Sequence, residues 1–110
     1  MTTYRRKRGD TTPLSFTLYN GGIPLDLTAA TQLRIIARLP GTASPKFTKV
    51  IAGPLGADGV VVLTPIAGDV DTAGRFDLEI EVLWNDTTVQ TIPSDGYDEL
   101  VIIPDLGGAA

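Results

Sequence analysis

The stretch Phe76-Asp77-Leu78-Glu79-Ile80-Glu81-Val82-Leu83-Trp84 decides the fold. Phe76, Leu78, Ile80, Val82 and Trp84 alternate with Asp77, Glu79, Glu81 and Leu83, so an extended chain carries one apolar face and one mostly acidic face. This is the pattern of a long strand lining a core, with Trp84 continuing the buried side. Asn85-Asp86-Thr87 then turns the chain into Thr88 to Ile92, which predicts a hairpin.

The same period of two recurs on either side of this strand. Leu14, Phe16 and Leu18 alternate with Ser15, Thr17 and Tyr19 before the turn signal Asn20-Gly21-Gly22. Ile23 to Leu27 reads as a short extended piece that Pro24 confines to an edge. Thr28 to Thr31 reads as one helical turn or a bend. Leu33, Ile35, Ala37 and Leu39 face inward along Gln32 to Leu39, with Arg34 and Arg38 outward. Lys46 to Ala52 is read as a strand with Phe47 inside, 53 to 59 as a loop, and Val60 to Leu63 as a short apolar strand. A single helical turn is expected between Thr64 and Gly74, and Leu100 to Ile103 closes the series before Pro104. Seven or eight short strands with turn signals between them predict an antiparallel β-sandwich, with one or two single helical turns.

Composition agrees. Leu, Ile, Val and Phe supply 32 of 110 residues, enough for one core in one domain. The absence of Cys and His excludes thiolate nucleophiles, disulfides, zinc ribbons and the imidazole of the common hydrolases. The chain is therefore read as non-enzymatic, with no catalytic residue, no cofactor and no metal. No apolar stretch approaches the roughly 20 residues of a membrane span. The basic start is not followed by the apolar run of a signal peptide.

Charge is unevenly distributed. Residues 1 to 8 carry four bases and no acid, residues 9 to 75 carry five of each, and the rest carries eight acids and no base. For the basic run Arg5, Arg6, Lys7 and Arg8 three readings stand: a solvated terminus, a phosphate-binding segment, or an arm lying on an acidic surface of its own domain or of a neighbouring copy. The acidic total and the lack of aromatics beyond Tyr4 count against nucleic acid.

Smaller motifs have plain structural explanations. Arg8-Gly9-Asp10 leads straight into a strand and is read as a turn. Asp69 and Asp71, and the group Asp95, Asp98 and Glu99, supply oxygens but no complete calcium-loop signature, so capping of turns is expected. Glu79 and Glu81 share a strand face, the spacing of a solvated sheet surface as well as of a glycosidase pair.

The order of the pieces is more specific than any one of them. Arg8-Gly9-Asp10-Thr11, the strand through Leu18, Ile23-Pro24-Leu25-Asp26-Leu27-Thr28-Ala29-Ala30, Ala73-Gly74-Arg75-Phe76 through Val82, Pro93-Ser94-Asp95-Gly96-Tyr97 and a closing Ile103-Pro104-Asp105-Leu106 follow one another. Together they resemble the N-terminal immunoglobulin-like domain of the upper baseplate proteins of tailed bacteriophages. In one departure, Asn85-Asp86-Thr87-Thr88 stands where that domain has a tight Asp-Gly turn, which predicts a longer loop. The resemblance implies an immunoglobulin-like sandwich at 9–106, and the chain is read as a basic arm at 1–8, this sandwich and a flexible tail at 107–110. The resemblance also implies a virion structural or adapter protein of a phage or prophage tail, baseplate or neck, assembled in the host cytoplasm with further copies of itself and other virion proteins. The receptor-binding regions of those baseplate proteins lie beyond the matched part, and their activity is not carried over. The residues expected to meet partners are Tyr4, Arg5, Arg6, Lys7 and Arg8 on the basic side, and Asp77, Glu79, Glu81, Asp95, Tyr97, Asp98 and Glu99 on the acidic side. The alternatives are a host-surface or carbohydrate-binding sandwich that uses Tyr97 and Tyr19, and a capsid decoration protein.

Overall fold

A computed structural model describes residues 3–53, 55–93, 96–104 and 106. Asp95 and the 107–110 tail therefore lie outside the described residues. The chain is all-β, with β1 (Thr3–Lys7), β2 (Leu14–Thr17), β3 (Tyr19–Asn20), β4 (Ile23–Pro24), β5 (Ala30–Arg38), β6 (Pro45–Ala52), β7 (Val60–Leu63), β8 (Gly74–Trp84), β9 (Val89–Ile92) and β10 (Asp98–Ile103). One 3₁₀ turn, Ala67–Asp69, precedes β8. Eight of these strands have four or more residues, and β3 and β4 are two-residue pieces of one small hairpin.

The large sheet runs β1-β10-β8-β5-β6, and β9 also pairs with β8. Because β5 occupies one edge of β8 from Asp77 to Trp84, β10 at Gly74 to Leu78 and β9 at Ile80 to Leu83 must lie end to end along the other. The second layer is the β2-β7 pair with the β3-β4 hairpin. Between the layers sits a single core of Phe16, Leu18, Leu27, Leu33, Ile35, Val61, Phe76, Leu78, Ile80, Val82, Leu100 and Ile102 with their smaller neighbours. Strand order and layering are those of an immunoglobulin-like sandwich, with β10, β8, β5 and β6 on one sheet and β2 facing them with β7.

The alternation of β8 is realised as read: Phe76, Leu78, Ile80 and Val82 are buried. Trp84 is half-buried against the core, and its indole N–H donates to Gln90 Oε1 at 3.2 Å. Leu39 departs from its predicted place. It is 48 % exposed, because β5 ends at Arg38 and the chain turns through Pro40 and Gly41, so the inward parity is lost. Thr28 to Thr31 is a bend, with the Ala30 N–H on the Leu27 carbonyl and β5 already begun.

Polar pairs fix the crossover into β8. Lys49 is in register with Ile35 and so projects to the inner side of β6, where its Nζ lies 2.7 Å from Asp69 Oδ2. Asp69 is 6 % exposed and also accepts the Ile66 N–H at 2.8 Å. Lys46 holds Asp71 beside it. A buried carboxylate with two partners is tolerable; either partner alone would be a liability.

Two joints depend on left-handed backbone. Leu18 donates its N–H to Gly59 and accepts one from Leu25, so β7 and β4 converge on a single residue. Gly59, at φ +72°, sits in that junction, where a Cβ would lie 2.6 Å from the Leu18 carbonyl oxygen and 3.0 Å from the Leu25 nitrogen. Thr87, at φ +72°, closes the 85–87 loop, across which Trp84 donates its N–H to the Thr88 carbonyl. A β-branched residue there is strained. We expect Gly59→Ala to destabilise the fold by more than the roughly 1–2 kcal/mol that the left-handed backbone alone costs. Gly21→Ala, at φ +63° with open space around its Cβ position, should lose only that backbone cost. Thr87→Gly should gain about 1 kcal/mol by relieving the same strain. Urea midpoints of the three variants against the parent chain check both signs.

Candidate functional site

The outward face of the large sheet gathers most of the residues expected to meet partners. In β8, Asp77, Glu79 and Glu81 point away from the core, and the register sets them beside Arg38, Ile36 and Arg34 of β5. Glu99 of β10 lies beside Asp77, and Thr3 of β1 beside Glu99. Arg5 and Lys7 share this outer parity and are exposed at the sheet edge. Two weak ion pairs cross the face, Arg75 Nη2 to Glu99 Oε2 at 2.6 Å and Arg34 Nε to Glu81 Oε1 at 3.4 Å. Exposed pairs of this kind add little stability. Arg38, Asp77 and Glu79 have no ion pair among the described residues. A shallow depression of about 150 Å³ lies over the centre, lined by Ile36, Arg38, Asp77, Glu79, Glu81 and Tyr97. Val50 and Val89, each about 60 % exposed, flank this charged strip on β6 and β9.

Other expected residues go elsewhere. Residues 3–7 are an edge strand of the sheet, parallel to β10. The basic segment therefore lies against the acidic end of its own domain, one of the three dispositions open to it from sequence. Tyr4 turns inward, and its ring packs on Phe16 with centroids 5.4 Å apart. Arg6 folds back to donate from Nη2 to the Pro13 carbonyl at 3.1 Å. Arg8 anchors its N–H on the Ile103 carbonyl at 2.7 Å. Asp98 is in register with Leu78, so it belongs to the inner parity and is separated from Glu99 by the sheet itself. It lines a groove of about 570 Å³ between the layers, together with Tyr4, Thr17, Tyr19, Asn20, Gln90 and Pro93. Tyr19 and Tyr97 thus lie in different depressions.

One recurrent device was missed in the sequence. Asp10-Thr11-Thr12, Asp26-Leu27-Thr28 and Asp86-Thr87-Thr88 repeat Asp-x-Thr, and in each the aspartate Oδ1 accepts both the N–H and the hydroxyl of the threonine two residues on. The Arg8-Gly9-Asp10 tripeptide is thereby a structural turn whose carboxylate is already engaged. The threonine hydroxyl bonds hold Asp10, Asp26 and Asp86 below the usual carboxylate range, and the Lys46 ammonium does the same for Asp71, assisted by the Thr72 hydroxyl. Among the described residues no set of three or more acidic side chains has the arrangement of a metal site, and no helix is long and apolar enough to cross a membrane.

No protein-family model matches the chain, and no curated protein is significantly similar to it.

The four depressed aspartates are expected to contribute to the acid limb of stability. Each binds its proton less readily folded than unfolded, so its contribution is present above the unfolded value near pH 4 and is lost as pH falls through the lower folded value. The urea midpoint should therefore fall on acidification below about pH 4. Replacing Asp10, Asp26, Asp71 and Asp86 together by Asn should flatten that limb. An unchanged slope between the two chains would show that the turns do not carry it.

Proposed function

We propose that the protein is a non-enzymatic structural or adapter module of a tailed-bacteriophage or prophage virion, placed in the tail, baseplate or neck and assembled in several copies through protein contacts. The observation that carries this reading is the ordered set of motifs from Arg8 to Leu106. Of these motifs, Arg8-Gly9-Asp10 is the turn before β2 and Gly74 to Val82 forms most of β8. A module that works by surface complementarity needs a rigid body and one face with unengaged groups. The outer sheet face, with Arg38, Asp77, Glu79, Val50 and Val89, supports that requirement.

A second reading, binding of a host-surface glycan, is favoured by one feature. The groove between the layers combines Tyr19 with Asn20, Gln90 and Asp98, an aromatic platform beside polar side chains. Glycan-array binding that disappears in Tyr19→Ala and persists in Tyr97→Ala would select this reading over the first.

The virion reading is tested by expressing a tagged chain in cells that produce the particles and measuring its copy number in purified virions. A fixed number of copies is expected, and absence from the particles would refute it. Arg5→Ser with Lys7→Ser should lower incorporation without lowering the urea midpoint, because both side chains are exposed. Arg6 is left intact in this test because its guanidinium binds the Pro13 carbonyl, and its loss would be read as instability.

A further inference from the structure

The geometry points to a two-fold pairing of this chain with a second copy, outer face to outer face, about an axis that runs along the strands between β5 and β8. This deepens the multi-copy reading above by naming the face and the symmetry, and rests on it only for the premise that copies meet. With the strands of the two copies aligned, two isologous ways of stacking the face exist. An axis running across the strands would set β5 over β5 of the other copy, bringing arginine over arginine and carboxylate over carboxylate. An axis running along the strands sets β5 over β8 of the other copy at the same level. Cross-strand register within one copy puts Arg34 level with Glu81 and Arg38 level with Asp77. The second axis therefore lays each arginine over the carboxylate of the other copy, and each carboxylate over an arginine, giving four opposite-charge contacts around the axis.

The rims fit the same operation. β6 comes over β9 and β10 of the second copy, so Val50, level with Arg34, faces the level of Thr91, which is in register with Glu81. Ala52, level with Gln32 and hence with Leu83, faces the level of Val89. The exposed valines are thus covered by small or apolar groups instead of charges. Stacked sheets pack aligned to within about 30°, which keeps the central contacts in place while the corners splay. The covered area, four strands wide at roughly 4.8 Å and about five outward residues long, is on the order of 500 Å² per copy in projection. That lies at the low end for specific interfaces, so the dimer is weak and salt-sensitive.

One acid lacks a partner in this arrangement. Glu79 is level with Ile36, so it meets an aliphatic side chain across the interface and lies near its own symmetry mate. Its charge opposes the pairing that its neighbours drive.

Sedimentation velocity of the full chain from about 1 to about 500 µM tests the proposal. The parent chain is expected to pass from monomer to dimer over this range, with the dimer weakened on going from about 50 to about 300 mM NaCl. Arg34→Glu with Arg38→Glu, and separately Asp77→Arg with Glu81→Arg, should each remain monomeric, losing at least about tenfold in affinity. An equimolar mixture of the two variants should dimerise, because each then offers the other its missing partner. Glu79→Gln should tighten the parent dimer. Should a double variant fail to fold, as read by circular dichroism, the single Arg34→Glu at a half-exposed side chain and the Glu79→Gln shift carry the test. A parent chain monomeric at the highest concentration, or a dimer indifferent to charge reversal, overturns the pairing. Either result leaves the particle-incorporation assay to decide the virion reading independently.

Discussion

The large sheet is built around β8, which is hydrogen-bonded along both edges and pairs with three other strands. β8 takes β5 on one side and the successive pieces β10 and β9 on the other, and its inward residues Phe76, Leu78, Ile80 and Val82 sit between Leu33, Ile35 and Ala37 and the last strand's Leu100 and Ile102. With a side-chain period of two, a slip of one residue would send Asp77, Glu79 and Glu81 into the core together. Burying three carboxylates without partners costs far more than the few kcal/mol by which any one contact holds the sheet. The acidic side of β8 is thus a register lock as well as a surface. It forbids the alternative pairing more strongly than its apolar side favours the native one.

That lock has a consequence for charge. Acids kept on one face need nearby bases, and the fold brings them from three places: Arg34 and Arg38 on β5, Arg75 at the start of β8 itself, and Arg5 and Lys7 on β1. The chain that reads as basic at the start and acidic at the end therefore does not form a body with unlike ends. Parallel pairing of β1 with β10 folds the two extremes onto one another, and the surface displays rows of acids on β8 and β10 flanked by bases on β5 and β1, near balance in total, on one side of one sheet. Such a pattern has little net field to steer a polyanion. Its information lies in short-range order, which is read by another surface of matching pitch.

Much of the fold was legible because most strands have one buried face, and burial writes a period of two into the sequence. β2, β5 and β8 carry it, whereas β7 and β10 were legible as short continuous apolar runs. β1 was not legible as a strand, since Thr3-Tyr4-Arg5-Arg6-Lys7 has no apolar face. It is an edge strand whose hydrogen bonds come from β10, and Tyr4 on Phe16 is its main apolar contact. Leu39 was misplaced because periodicity carries no stop sign finer than the proline that follows. Lys49 shares the inward parity of Phe47, and what the sequence does not show is the buried partner, Asp69, that makes a charge there tolerable. Asp98 and Glu99 looked equivalent in a run of acids, yet adjacent residues of a strand project to opposite sides. The Asp-x-Thr turns were readable in principle, since each offers one carboxylate to two donors a fixed distance along the chain, but the signal is short and emerges only on threefold repetition.

Many of the charged side chains among the described residues are committed to holding the fold. Asp10, Asp26 and Asp86 hold turns, Asp69 and Asp71 hold the crossover, and Arg6 holds the entry into β2. A side chain engaged in holding its own backbone is poorly placed to bind anything else, because each outside bond would be made at the expense of an inside one. The outer face differs in kind: its Arg38, Asp77 and Glu79 lie on rigid strands with fixed spacing and no internal partner among the described residues. Rigid spacing means little conformational entropy is lost on contact, so even weakly attractive groups can act together there. Function in this chain is therefore to be sought where the fold does not consume its own charges, a condition that the exposed side of β5 and β8 meets together with Arg5 and Lys7 of β1.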